Sequence, residues 1–307
     1  MKNGLTLITK WKKKQIKNGL TLTIIFEAES GNYGEGAGNV AILKHMNRGN
    51  GENHTYISRQ TLGSSIKNQM GLSTPVIAAG SSDKSAVQFN PEATAKDYPE
   101  VDLFGYLKTK KSENACKRAA VARLSNAISL EPYTGDMDFL TNMRLASQVK
   151  GLQNNIANVE IHHSLYSYTL TVDLDLVGID ENDGVSLSGK ERAKRVVDLL
   201  NCIQHLYHDI KGRRENLAPV FVIGGLYEAK SPYFLNRIKL HKGDLNVALL
   251  KEVIENIEEP TLCGLLTGIF KNEDEIRNNL NPVSIHECFD ALKAQVEEYY
   301  ESSQDIN

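Results

Sequence analysis

The feature that most constrains this chain of 307 residues is the stretch from residue 20 to residue 67, which joins an alternating strand, a glycine-rich loop and a helix start. Apolar residues at every second position predict a strand with one strongly apolar face: Leu20, Leu22, Ile24 and Phe26. Four glycines follow directly: Gly31, Gly34, Gly36 and Gly38. Ser58 is then a good N-cap for a helix through about Met70. This unit predicts a phosphate-binding edge, although glycines alone are equally typical of a mobile surface loop.

Five blocks of sequence, in this order along the chain, carry a resemblance to a known family. They are IFEAESGNYGEG at 25–36, TYISRQ at 55–60, DLFGY at 102–106, SNAISLEP at 125–132, and NIA with EIHHSLYSY at 155–168. Together they resemble the DevR-type backbone subunit of type I-B CRISPR Cascade complexes, in the RAMP superfamily. The chain departs from that pattern at Gly63, where relatives carry an arginine, and at His163, where they carry another base. The resemblance therefore implies no phosphate contact by residue 63.

The resemblance implies an α+β fold, with an RRM-like (ferredoxin-like βαββαβ) palm and large insertions that form a finger or web and a thumb. The expected division is a basic N-terminal extension at 1–19, the palm at 20–70 and 163–240, a finger or web insertion at 71–128, a thumb-like insertion at 129–162, and an acidic helical C-terminal part at 241–307.

The second half of the expected palm has its own local signals. Alternation over residues 165–179 predicts a strand, and residues 220–226 predict another. Between them, Ser188 and Glu191 form a capping box for a helix to about Lys211. Strand, helix, inserted strands, helix and strand is the split βαβ order. Helical spacing with outward acids also appears over residues 244–257 and 284–300.

The formal net charge of −3 by itself argues against a nucleic-acid-binding protein, but the charge is unevenly distributed. Residues 241–307 carry fourteen acidic and five basic side chains, so the first 240 residues carry a net charge of +6. A basic run between Lys108 and Arg123 precedes the SNAISLEP block, which makes it a candidate RNA-backbone track. A solvated helix face would explain the same run.

The remaining composition predicts an ordinary cytoplasmic protein without a cofactor. The four cysteines have neither CxxC nor His/Cys metal-ligand spacing, which favours reduced thiols and no metal site. The lysine-rich start precedes a short, threonine-containing apolar run, so we expect no targeting segment and no membrane partner.

The resemblance implies a crRNA-binding subunit of antiviral defence that is not an enzyme. Its implied partners are crRNA, copies of itself in a head-to-tail filament, other Cascade subunits, and target DNA through the guide. Contacts should go to phosphate and sugar, because guide sequences vary. The candidate RNA-binding residues are Ser58, Arg59 and Gln60 at the helix start, with Asn32, Lys44, Arg48, Lys67, Lys108, Arg123, Asn126, His162 and His163.

Three other functions are compatible with parts of the sequence. Residues 36–41 match the G-x-G-x-x-A dinucleotide fingerprint, but the distance from the strand and the nearby glutamates disfavour it. Asp136 and Asp138 would suit a metal-dependent ribonuclease, although acids two apart in a loop are usually turn residues. His162 and His163 are adjacent on a strand and cannot both reach one phosphate. The historical family label also suggests a transcriptional or developmental regulator.

Overall fold

The computed structural model describes residues 19–29, 31–34, 36, 38–49, 51–79, 86–109, 115–141 and 156–302. Residues 1–18 of the predicted N-terminal extension and residues 142–155 of the predicted thumb therefore lie outside the described residues. The helices of this part are α1 (Arg59–Gln69), α2 (Pro99–Phe104), α3 (Gly189–Gln204), α4 (Val247–Glu255), α5 (Glu273–Leu280) and α6 (Ile285–Ser302).

The strands are numbered in chain order. The first eleven are β1 (Gly19–Ala28), β2 (Val40–Ala41), β3 (His45–Asn47), β4 (Asn53–Ile57), β5 (Val76–Ala79), β6 (Ala86–Phe89), β7 (Tyr106–Lys108), β8 (Cys116–Arg118), β9 (Ala122–Leu124), β10 (Ala127–Ser129) and β11 (Asp136–Thr141). The others are β12 (Ile156–Ile161), β13 (Ser164–Asp173), β14 (Ile179–Asp180), β15 (Val185–Ser186), β16 (Tyr207–Ile210), β17 (Arg213–Asn216), β18 (Phe221–Tyr227), β19 (Leu240–His241), β20 (Asp244–Leu245) and β21 (Leu262–Leu265).

An antiparallel main sheet organises the described part of the chain. Its order is β21-β18-β1-β13-β10-β4-β3, and β9 pairs with β13 next to β10. The predicted strand at residues 20–26 is confirmed as β1, which lies between β13 and β18. Both faces of β1 are buried. Its polar residues are satisfied there: Thr23 and Thr169 share a hydrogen bond of 2.8 Å between their hydroxyls.

Helices α1, α3 and α6 cover one face of this sheet and share a continuous apolar core with it. Leu22 of β1, Leu170 of β13, Ile66 of α1, Val196 of α3 and Phe289 of α6 are all fully buried in this layer. Burial of each such side chain contributes about 1.5–3 kcal/mol. The capping box of Ser188 and Glu191 is confirmed at the start of α3. These helices leave only the opposite face of the sheet for a surface site.

The opposite face is covered in part by residues 231–280, which we call the C-terminal lobe. Ile25 of β1 and Phe221 of β18 pack there against Phe234, Leu250 of α4 and Ile276 of α5. The lobe covers the β18 end of the sheet. Toward β10 and β4, the same face presents polar side chains and forms a groove.

A buried carboxylate joins the segment that contains α2 and β7 to α3 and to the backbone before β14. Asp102 is fully buried and forms ion pairs of 2.7 Å with both Arg118 and Arg195. It also accepts hydrogen bonds from the backbone N–H of Gly178. Because a buried charge needs matched partners, these contacts hold the insertion, β8 and α3 in one arrangement.

Several element boundaries differ from those that the sequence predicts. The strand expected over residues 165–179 ends at Asp173 and is followed by a 3-10 turn, Leu174–Leu176. The helix expected to reach Lys211 ends at Gln204, because β16 and β17 form a hairpin directly after it. Lys108 and Lys117 lie on the paired strands β7 and β8, not on a helix face. No helix of the described ranges is both long and apolar enough to cross a membrane.

Candidate nucleic-acid interface

The start of α1 is held by two asparagines that are distant in sequence. Asn32 Oδ1 accepts the backbone N–H of Ser58 at 3.0 Å, and Asn126 Oδ1 accepts the backbone N–H of Arg59 at 2.9 Å. The Ser58 hydroxyl caps the helix as predicted, by accepting the N–H of Thr61 at 3.3 Å. Three first-turn donors are thus satisfied within the protein.

This capping corrects the expected role of the helix start. Ser58 is buried and its hydroxyl also bonds to Thr61, so it positions the helix and does not face a ligand. Asn32 is likewise engaged by the helix. Arg59 and Gln60 have exposed side chains, and a guanidinium there can bind a phosphate with two N–H groups. The helix start therefore offers side-chain contacts rather than a row of backbone donors.

A groove crosses the sheet between strands β10 and β13 on one side and the C-terminal lobe on the other. Its first chamber, of about 240 Å³, is lined by Asn126, Ser167, Thr169 and Asn236, among others. Because Oδ1 of Asn126 is occupied by the N–H of Arg59, its amide NH₂ is the group left for a ligand. Asn126 therefore connects the start of α1 to the first chamber.

The second chamber adjoins the first and has a volume of about 360 Å³. The two chambers share Arg48, Leu130 and Ile238. Lys239 lines the second chamber together with Glu52. No ion pair joins Arg48 or Lys239 to an acidic side chain of the described residues, and Glu52, which lines the same chamber, is itself engaged in an interaction. Two cations at a groove of this size are suited to a phosphate-bearing ligand.

Other basic residues predicted for the site are engaged elsewhere. Lys108 is buried and pairs with Asp183. Its burial contradicts the prediction that it contacts RNA. Lys67 pairs with the buried Glu100 at 3.1 Å. Arg123 pairs with Asp173 at 2.8 Å but keeps 46% of its side chain exposed. Lys44 is half-buried, and its backbone bonds to the neighbouring Asn32 and Tyr56.

The two adjacent histidines have different surroundings, although they lie in the connection between β12 and β13 and not on a strand as the sequence analysis expects. His162 is buried and shares a hydrogen bond of 2.7 Å with the Thr55 hydroxyl, and burial lowers its pKa below the ordinary value. His163 is exposed and lies 2.9 Å from the carboxylate of Glu27. The enclosed ring of His162 contradicts its prediction as an RNA contact. The pair does not form an acid–base site.

Strands β11 and β12 form an antiparallel hairpin within the segment predicted as a thumb. Phe139 of this hairpin exposes 66% of its surface, and Met137 and Leu140 are also exposed. Asp136 and Asp138 lie on the same exposed strand. No three His, Cys, Asp or Glu side chains of the described residues come close enough together to hold a metal ion.

The groove includes residues that sequence reasoning missed. Ser167 and Thr169 belong to the polar face of an alternating strand, and that pattern was the available signal. Asn236 and Lys239 come from the C-terminal lobe, and no local pattern places that segment against β10. Among the predicted residues, Arg48 and Asn126 line the groove, and the backbone N–H of Arg59 is bonded to Asn126.

Comparison with known proteins connects this arrangement to one family. A family model described as "CRISPR-associated negative auto-regulator DevR/Csa2" matches residues 20–242. No curated protein matches the chain at a significant level. A solved chain described as "CRISPR RNA-guided surveillance complex, pre-nicking" has 12% identity and a TM-score of 0.59, covering 91% of this chain and 100% of that one. A chain of another "CRISPR RNA-guided surveillance complex" has 13% identity and a TM-score of 0.56, covering 90% and 99%. At these identities the similarity concerns the fold.

Proposed function

The chain belongs to the CRISPR-associated DevR/Csa2 family, and from this premise we propose that it is an RNA-binding subunit of a CRISPR surveillance complex. It binds a guide crRNA along the sugar-phosphate backbone and leaves the bases free to pair with target DNA in antiviral defence. The similarity of fold to chains of two such complexes supports this proposal.

The observation that carries the proposal is the groove lined by Arg48 and Lys239, which have no ion-pair partner among the described residues. Arg48 lines both chambers, and Lys239 lines the second. The backbone N–H of the exposed Arg59 donates a hydrogen bond to the groove residue Asn126. Cations without acidic partners attract phosphates more strongly than cations already paired. Ser167, Thr169 and Asn236 add neutral polar groups, which suits contacts to sugar.

We infer that the main sheet is an RRM-like palm of the ferredoxin type. The order β18-β1-β13-β10 is that of a split βαβ unit in which α1 follows the first strand and α3 precedes the last. The segments at 71–128 and 129–162 serve as finger or web and thumb on this proposal. The sheet also takes β9, β10 and β21 from outside the predicted palm boundaries, and α6 packs on it.

We propose that the subunit acts without cleaving nucleic acid. The enclosed His162 and the exposed His163 cannot share one phosphate, and Asp136 and Asp138 lie on an exposed strand. Copies of the subunit line up head to tail on the guide, with other Cascade subunits at the ends, because a protein that covers a longer polymer must repeat. The complex works in the cytoplasm.

The test is to mix the purified protein with single-stranded RNAs of increasing length and to measure particle mass by light scattering. We expect the mass to rise in steps with RNA length at low salt and to fall at high salt or after ribonuclease. The salt dependence should be about 0.7 log units of affinity per tenfold salt for each phosphate contacted. A fixed mass that ignores RNA length would overturn the proposed assembly, and RNA cleavage in Mg²⁺ would overturn the noncatalytic role.

The words "negative auto-regulator" in the family description favour gene regulation as a second candidate. The same binding assay separates the two functions. Tight, sequence-dependent binding to duplex DNA together with weak binding to single-stranded RNA would support regulation instead.

A further inference from the structure

The hairpin of β19 and β20 brings two lysines together in the C-terminal lobe. Lys242 lies at its turn, and the backbone N–H of Lys271 donates a hydrogen bond of 3.0 Å to the oxygen of the next residue, Gly243. The Lys271 side chain runs past this glycine, since a Cβ atom at Gly243 would lie 3.1 Å from its Cε atom. Both lysines are exposed. Because like charges on one turn repel each other, the hairpin is a place to look for an anionic partner.

These two lysines differ from other basic residues in the same acidic part of the chain. Residues 241–307 carry fourteen acidic and five basic side chains. Arg277 and Lys293 each pair with an acid of their own helix at 2.7 Å. No ion pair joins Lys242 or Lys271 to an acidic side chain in the described part of the chain. The fold therefore leaves these two charges available to a ligand, although acids are plentiful nearby.

The backbone at Lys242 is in a conformation that lysine rarely adopts. The hairpin turn has two residues, with a φ of +52° at Lys242 and +93° at Gly243. Asparagine is the favoured residue at the first of these positions, so a lysine there costs conformational energy. The hairpin of β16 and β17 has the same kind of turn, and its Lys211 lies 5.3 Å from the centre of the Tyr33 ring. Lys242 forms no such contact with the described residues, so its side chain remains to be explained by a ligand.

The hairpin continues the groove beyond its second chamber. A third chamber, of about 280 Å³, shares Lys239 and Leu240 with the second. Two acids, Asp244 and Glu275, also line it. Glu275 accepts a hydrogen bond of 2.7 Å from the side-chain amide of Asn272. An anionic strand that leaves the second chamber at Lys239 therefore meets more lysines than acids along the hairpin.

We propose that Lys239, Lys242 and Lys271, which we call the lysine edge, bind phosphates of the guide RNA where the strand leaves the second chamber. Each subunit then holds the guide with its C-terminal lobe as well as with its main sheet. The flexible lysine side chain binds phosphate as a point charge and reads no base, so the contact suits guides of varied sequence. This inference rests on the proposed function and extends its binding site onto the lobe.

The test removes the two lysines that lie outside the first two chambers. Lys242→Asn suits a positive φ, and Lys271→Gln keeps most of the stem that passes Gly243. The double variant and the wild type are compared by fluorescence anisotropy with single-stranded RNA at several salt concentrations. Affinity at low salt should fall about threefold to tenfold for each lost contact. The slope of log affinity against log salt should become shallower by about 1.4, which is 0.7 for each of two phosphates.

The matched control is the double variant Lys96→Gln and Lys190→Gln. Both of these lysines are exposed and line none of the three chambers. The control removes the same amount of charge, so it should keep the wild-type affinity and salt slope. Thermal unfolding of both double variants checks that each is folded.

A second measurement locates the contact on the RNA. The shortest RNA that binds one copy of the protein is prepared with one uncharged methylphosphonate linkage at each position in turn. Wild-type protein should lose affinity wherever a contacted phosphate is neutralised. In the Lys242→Asn and Lys271→Gln double variant, adjacent positions at one end of this footprint should become insensitive, while the others remain sensitive.

The outcomes are distinct. Wild-type protein that binds no RNA overturns the proposed function itself. A double variant of the lysine edge with the wild-type salt slope and phosphate profile overturns only the lysine edge. Equal losses in the control double variant also overturn it, because they indicate a general charge effect. A loss that appears only after a complementary DNA strand is added assigns the lysines to the target strand and overturns their assignment to the guide.

Discussion

The side-chain oxygen of Asn126 accepts a hydrogen bond of 2.9 Å from the backbone N–H of Arg59, across 67 positions of the chain. This bond fixes the first turn of α1 against strand β10, and it turns the Asn126 amide NH₂ toward the groove. The same residue therefore serves the fold with one atom and the candidate site with another, and the two roles can be separated by substitution.

Asn126→Asp keeps an acceptor for the Arg59 N–H but replaces the groove-facing amide by a negative charge. We expect a free energy of unfolding close to that of the wild type and weaker binding of single-stranded RNA. Asn126→Ala loses both roles and should lower the free energy of unfolding by about 0.5–2 kcal/mol. Urea denaturation and filter binding measure the two quantities. Normal RNA affinity in Asn126→Asp would place the groove away from the guide.

Arg59→Ala tests the exposed cation at the helix start. Loss of a charge-assisted contact should weaken RNA binding by about 1–3 kcal/mol, with little change in stability because the side chain is exposed. Lys190→Ala is the control, because it removes one exposed charge from the start of α3 and Lys190 does not line the groove. Equal losses in the two variants would indicate a general charge effect.

Two glycines should respond in opposite ways to substitution by alanine. Gly224 in β18 has a φ of +154°, and a Cβ atom there would lie 2.0 Å from the backbone oxygen of Thr21. Gly224→Ala should therefore destabilise the protein by about 3 kcal/mol or more, through overpacking and backbone strain together.

Gly63 lies inside α1, where a Cβ atom would make only an ordinary contact of 3.9 Å with Leu124. Gly63→Ala should stabilise the protein by about 0.5–1 kcal/mol, because alanine loses less conformational freedom in a helix. Thermal unfolding of both variants checks the pair. A neutral Gly224→Ala would show that β1 and β18 are less closely paired than described.

The buried charge of Asp102 gives a further prediction. Asp102→Ala leaves Arg118 and Arg195 without their shared carboxylate, and it should cost about 3–5 kcal/mol of stability. Asp209→Ala is the comparison, because its ion pair with Arg214 is exposed on both sides and should contribute little to stability. Similar urea midpoints for Asp102→Ala and Asp209→Ala would contradict the larger contribution of the buried ion pairs to stability.

The enclosed ring of His162 predicts a dependence of stability on pH. Burial lowers the pKa of His162 in the folded protein, although the nearby Glu131 opposes the shift. The unfolded chain therefore takes up a proton first. The stabilising contribution of the neutral ring is complete above about pH 6.5 and falls as the pH drops toward the folded pKa.

His162→Asn should flatten the decline in melting temperature between neutral and mildly acidic pH. Burial also lowers the pKa of His208, so part of the decline should remain in this variant. His163→Asn, which removes an exposed imidazole, is the control for replacing a histidine. Identical slopes for wild type and His162→Asn would assign the pH dependence to other groups.

Local patterns in the sequence predicted the elements that local physics determines. The alternation of Leu20 to Phe26 and the cap at Ser58 appear in the structure because neighbouring residues decide them. The end of α3 was missed, since the β16–β17 hairpin that stops it depends on pairing that no helical pattern indicates.

The candidate site was predictable only in part for the same reason. Arg48, Arg59 and Asn126 lie in conspicuous motifs, whereas Asn236 and Lys239 reach the groove only because the C-terminal lobe folds back over the sheet. The burial of Lys108 was equally unpredictable from local sequence, because its partner Asp183 follows 75 positions later. Basic residues in a sequence do not reveal which of them are already neutralised.

The central position of β1 has a consequence for how the chain reaches its native state during synthesis. Gly19 must pair with Asp173 on one side and with Tyr227 on the other, so β1, the first strand in chain order among the described residues, is among the last to be completed. Such distant pairing makes folding slow, and until then an apolar strand has both edges open. We therefore expect nascent chains that stop before residue 227 to be captured by chaperones and degraded by proteases.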